Sequence, residues 1–215
     1  MSVELPTELI EGLNVALNEA TLLGVKVVAE QRVATIALSV LSMPDKGQPS
    51  SEVRVELVLQ PVGRVAASLR HGRWDDAAAT VEPFGLDGLP AVLSRVGGCA
   101  MYGWKFFDVP EGQDFDVWKD RLSLDWRSSD SGGMSHSLIL FQENKHHLDL
   151  CIWFDELSTL TPSHHLIPLD DFAAGGKRWW DGMYAGDPRT STSGIVPLRA
   201  EATKTLRKAL DELDS

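Results

Sequence analysis

Cysteine is nearly absent from this chain of 215 residues, and the two present, Cys99 and Cys151, cannot build a disulfide framework. Long apolar runs are missing too. No stretch approaches the ~18 consecutive apolar residues that a membrane-spanning helix needs. Positive charge is scarce: 20 Lys and Arg stand against 31 Asp and Glu, a formal charge of -11. That balance opposes binding to nucleic acid, whose phosphates are neutralised by basic side chains. The start is acidic, with Glu4, Glu8 and Glu11 ahead of the first lysine, Lys26. A secretory leader needs a basic start and an apolar run, so the expectation is a cytoplasmic protein.

Several chemistry-bearing motifs are also missing. There is no Walker-type loop, no dinucleotide-binding glycine fingerprint, no helical H-E-x-x-H and no paired C-x-x-C. A nucleophile elbow is absent as well. No residue is therefore assigned a catalytic role, no cofactor is expected, and no metal ligand set is assigned.

What is there is 43% hydrophobic residues, enough for a substantial core. Leu9, Ile10, Leu13, Ala16 and Leu17 have helical spacing over residues 7–20. Alternation then predicts a hairpin: Val25 and Val27, a turn near Glu30-Gln31, and Ala34, Ile36, Leu38 and Val40. Val53 to Gln60 alternates as a third strand, which Pro61 and Gly63 interrupt before a bent continuation to Arg70. Residues 86–96 read as a helix stopped at Gly97-Gly98. Residues 101–107 and 118–126 read as strand, with a charged loop between them. Residues 169–184 carry a helical stripe that Gly175-Gly176 should weaken or kink, and residues 200–213 read as a last helix. Without regular strand-helix alternation, the fold class is α+β, a mainly antiparallel sheet built from hairpins with N-terminal, middle and C-terminal helices. A single domain over 1–215 is expected, with two related halves, about 1–108 and 109–215, as the alternative.

Ser135 to Glu143 and His146 to Phe154 flank Asn144-Lys145, a two-residue turn candidate. That turn pairs the strands so that Ile139, Phe141, Leu148, Leu150 and Ile152 share one face. The other face then collects His136, Leu138, Leu140 and Gln142 with His147, Asp149, Cys151 and Trp153. A face of mixed polar and apolar side chains suggests partial cover and a ligand site, so His136, Gln142, His147 and Asp149 are the candidate ligand-binding residues. Cys151 lies about 13 Å along the strand from His147, beyond the reach of a nucleophile-base pair. Five of the six histidines fall between positions 136 and 165, which brings zinc into consideration. Adjacent histidines on a strand point to opposite faces, however, so neither His-His pair ligates as a unit.

The run Arg178-Trp179-Trp180-Asp181-Gly182-Met183-Tyr184 concentrates residue types common at interface hot spots. Arg178, Trp179, Trp180 and Tyr184 are thus candidate interface residues. The segments His136 to Glu143, Leu150 to Asp155 and Gly176 to Asp181 resemble those of an uncharacterised bacterial protein family of similar length, which implies no activity. The layout of acidic charge, hairpins and a Trp-bearing helix is also similar to that of immunity proteins of bacterial toxin systems. That resemblance implies an acidic cytoplasmic protein that works by binding another protein, and it carries no residue roles.

The leading expectation is a non-enzymatic protein-binding module with a basic partner, drawn in by acids such as Asp75, Asp76, Asp155 and Glu156. The alternatives are a small-ligand binder or metal-dependent enzyme on the hairpin face, and a protein that self-associates as a homodimer.

Overall fold

Every strand among the described residues runs antiparallel to its neighbours, as the hairpin patterns lead one to expect. The computed structural model describes residues 5–47, 53–73, 75–76, 78–110, 114–129 and 132–193. The helix expected over 200–213 lies outside the described residues. The elements in chain order are α1 (Thr7–Leu17), β1 (Thr21–Val28), β2 (Val33–Val40), β3 (Val53–His71), β4 (Thr80–Val81), α2 (Leu89–Val96), α3 (Asp114–Trp118), β5 (Leu124–Arg127), β6 (His136–Glu143), β7 (His146–Leu160), β8 (Leu166–Ile167) and α4 (Leu169–Ala185). They form one α+β fold around an eight-stranded sheet of order β1-β2-β3-β7-β6, with β4 and β5 on β3 and β8 on β7.

β3 and β7 are the long central pair. β3 runs 19 residues through a cis Gln60-Pro61 bond, and its register with β7 shifts between Val62 and Arg64. The expected interruption at Pro61 and Gly63 is therefore a bend within one strand. β3 offers one edge to β2 over Val53 to Leu59 and to β5 over Arg64 to Ala67. Its other edge pairs with β7 almost throughout.

One face of the sheet carries the main core. Leu57, Leu59, Val65, Leu69, Leu138, Leu140, Leu150 and Ile152 meet Leu13 and Leu17 of α1, Val92 and Leu93 of α2 and Phe172 of α4. α1 and α4 pack closely because their facing positions are small. A Cβ on Gly176 would lie 2.5 Å from Ala16 Cα, and one on Gly12 would lie 2.9 Å from Ala173 Cβ. The expected weak point of α4 is thus a continuous helix whose glycine admits its neighbour. Among the described residues, the opposite face carries an apolar cluster at its β6-β7 end. There Ala66, Ile139 and Cys151 pack beneath Val109, Phe115 and Trp118.

Residues 101–107 do not form the expected strand. The buried Asn14 of α1 accepts hydrogen bonds from Phe106 N (2.8 Å) and Phe107 N (2.9 Å) through Oδ1. Asn18, one turn on, accepts from Gly103 N at 3.3 Å. Two side chains thereby take amides that a strand would have given to a neighbour. The segment runs along the outer edge of β6, where Ile139 N donates to Phe106 O (2.8 Å) and Asp108 N to Ser137 O (2.9 Å).

Candidate functional site

The β6-β7 hairpin turns one residue later than its sequence suggests. Glu143 pairs with His147, and Asn144 N donates to His146 O at 3.0 Å, so three residues make the connection. A one-residue slip inverts one strand's faces relative to the other. His136 and Gln142 consequently share the main-core face with Leu148 and Phe154, while His147 and Asp149 share the back face with Ile139 and Phe141. The four candidate ligand residues do not form one site. Both strands are buried on both faces here, so alternation offered nothing to choose between the two registers.

His136 and Gln142 are tied up structurally. His136 Nε2 accepts from Leu5 N (3.3 Å), which leaves Nδ1–H to donate to Asp108 Oδ2 (2.8 Å). Gln142 Oε1 accepts from Cys99 N (3.3 Å), and Nε2 donates to Phe141 O (2.7 Å). His147 Nε2 bonds Asp149 Oδ1 at 3.0 Å, and Asp149 Oδ2 is paired with the Arg70 guanidinium from the adjacent strand β3. His164, one of the five histidines that brought zinc into consideration, lies beside Glu56 with its Nδ1 3.4 Å from Oε2. Among the described residues no group of three His, Cys, Asp or Glu is placed to hold a metal ion.

The aromatic stretch of α4 divides differently from its expected interface role. Trp179 is 2% exposed and Trp180 8%, so neither is a free surface anchor. On a helix, adjacent residues lie about 100° apart, and here both indoles reach the small core formed with Met43 and Met183. Arg178 Nε donates to Met43 O at 3.0 Å and so pins the segment after β2. Tyr184, a turn beyond Trp180, remains 39% exposed.

Beside Tyr184, between α1 and α4, runs a groove of about 390 Å³ lined by Glu8, Glu11, Trp104, Trp180, Asp181 and Tyr184, among others. The Asn14 and Asn18 tethers bring Trp104 here. Its ring meets that of Trp180 edge-on at 5.2 Å, and Trp180 meets Tyr184 at 6.0 Å. Trp104 stays 50% exposed. No family model, curated protein or solved structure matches the chain. Its own chemistry must therefore speak for the groove.

Asp181 is balanced by Lys177 (2.9 Å). Glu8 and Glu11 are exposed and make no ion pair among the described residues, so the groove carries uncompensated negative charge beside aromatic faces. Burial raises the Tyr184 hydroxyl above the usual phenol range, which keeps it protonated and able to donate. The Trp180 Nε1 donor is buried without a partner among the described residues. Glu8, Glu11 and Trp104 were not singled out from sequence. Glu8 and Glu11 enter the sequence reading only as part of an acidic start, and nothing local places Trp104 against α4.

Proposed function

We propose that the protein is a protein-binding module whose partner presents a cationic side chain, arginine or lysine, to the groove between α1 and α4. The observation that carries this reading is the meeting of two carboxylates, Glu8 and Glu11, that make no ion pair among the described residues, with the exposed rings of Trp104 and Tyr184. A cation over an aromatic face gains about 0.5–1 kcal/mol at an exposed site and more as water leaves. A peptide also brings carbonyl oxygens, and the unpartnered Trp180 Nε1 requires an acceptor that a simple cation lacks. The net charge of -11 speeds the encounter with a basic partner. Of the four residues first considered for an interface, Trp180 and Tyr184 line this groove, Tyr184 with an exposed ring and Trp180 largely buried behind it. In this reading the protein acts in the cytoplasm as an accessory or immunity-type factor, and the site needs no catalytic group.

The test is a calorimetric titration with a short, end-blocked, arginine-containing peptide, run beside the same peptide with glutamine for arginine. We expect only the arginine peptide to bind, and Glu8→Gln/Glu11→Gln to weaken it about tenfold. Trp104→Ala should cost at least as much. Equal affinity across wild type and both variants would refute the assignment.

A further inference from the structure

The back face of the sheet holds a second cavity, of about 280 Å³, between the β6-β7 end and residues Tyr102, Lys105, Val117 and Trp118. Its polar lining is Arg70, Lys105, Trp118, His147 and Asp149, with the exposed Tyr102 at the rim, and its apolar walls include Phe141. Arg70 is 2% exposed, Trp118 2%, His147 7% and Asp149 8%, so the polar groups are held away from bulk water. Both Asp149 oxygens are occupied, one by His147 Nε2 and one by Arg70. Three nitrogens of these lining residues are buried without partners among the described residues: Arg70 Nε, Trp118 Nε1 and His147 Nδ1. Buried polar groups in folded proteins are almost always hydrogen-bonded, so three orphans around one cavity mark a place for a partner.

The sense of each orphan is fixed by chemistry. Arg70 Nε and Trp118 Nε1 are donors. The Asp149 carboxylate, paired with a guanidinium, has no proton to give, so the proton between it and His147 sits on Nε2. In the neutral ring Nδ1 is then an acceptor. Arg70 and Asp149 cancel in charge, and the exposed Lys105 at the rim makes no ion pair among the described residues. The cavity is therefore locally cationic inside an acidic protein. It asks for two acceptors, one donor and a negative charge.

We propose that this cavity binds a small hydroxylated oxyanion on an apolar body. The oxyanion takes the N–H groups of Arg70 and Trp118, its hydroxyl donates to His147 Nδ1, Lys105 balances the charge, and the body lies against Phe141. A 2-hydroxy carboxylate and a monoprotonated phosphate monoester both have this chemistry. The site is independent of the α1-α4 groove, where the charge has the opposite sign.

The test uses mandelate, phenyl phosphate, phenylacetate and phenylacetamide, read by the indole N–H resonances of the seven tryptophans. Trp118→Phe, which keeps an aromatic ring and deletes the donor, identifies the Trp118 signal. We expect that signal to shift saturably with mandelate, with phenyl phosphate or with both, and the one that binds identifies the source of the oxyanion. Phenylacetate should bind about tenfold more weakly than mandelate if the carboxylate is the source, and phenylacetamide should leave the signal unmoved. Lys105→Ala, at the exposed rim, should weaken the anion about fivefold without altering the thermal midpoint. A Trp118 signal unmoved by both anions, or moved equally by phenylacetamide, overturns the proposal. Anion affinity unchanged both in Lys105→Ala, followed on the Trp118 signal, and in Trp118→Phe, followed by calorimetry, overturns it as well.

Discussion

Replacing Asp149 by leucine, which keeps the branched shape and removes both oxygens, would strand the Arg70 guanidinium inside the protein. The Arg70 side chain is 3% exposed and that of Asp149 12%, so the pair is a buried one. Breaking such a pair from one side costs about 3–5 kcal/mol, because the remaining charge can neither pair nor hydrate. Arg70 Nε already lacks a partner, so we place Asp149→Leu at about 4 kcal/mol. Arg70→Met should cost less, about 2 kcal/mol, since the carboxylate keeps His147 Nε2 at 3.0 Å and the greater exposure. Removing both charges should return stability to within about 1 kcal/mol of wild type. The assay is urea unfolding of all four proteins, followed by far-UV circular dichroism and tryptophan fluorescence, whose coincidence checks two-state behaviour. For a chain of this size about 4 kcal/mol corresponds to a fall of roughly 8–16 °C in Tm. Additive costs for the two single variants, or less than about 1 kcal/mol for Asp149→Leu, would show that Arg70 does not depend on Asp149.

Gly176→Ala should destabilise the protein by about 1–2 kcal/mol, because the overpacking against Ala16 exceeds the ~1 kcal/mol gain in helix propensity. A stabilised variant in a thermal melt would disprove the close approach of α1 and α4. Burial raises the Glu19 carboxyl above its ordinary range, so the folded protein binds that proton more tightly than the unfolded chain does. The stability tied to it is complete below the unfolded pKa and lost as pH rises through the folded value. Glu19→Gln should therefore raise the urea midpoint at about pH 7 and leave it unchanged near about pH 3. An equal change at both pH values would trace the effect to packing instead.

Much of the architecture was legible in local pattern. The first helix, the β1-β2 hairpin, the bend of β3 at Pro61 and the stop of α2 at Gly97 each follow from spacing or from a residue with special backbone behaviour. Where legibility failed, the competing interaction was distant in sequence. Residues 101–107 look like strand until Asn14 and Asn18 claim their amides. The short helix at Asp114–Trp118 reads locally as loop, and it packs through Phe115 and Trp118 onto the back of the sheet. Arg70 was visible only as the end of the bent third strand, and its partner lies 79 residues away on β7.

The sequence by itself determined the class of fold and the sign of the protein's field. Both arise from quantities local to the chain, the period of its apolar residues and the sum of its charges. Only the tertiary structure decided which polar groups meet. A strand's side chains alternate with period two, so one extra residue in the 144–146 connection moved His136 and Gln142 to the core face and left His147 and Asp149 with Arg70 behind the sheet. A strand covered on both sides carries no pattern that records that choice. Packing around it does.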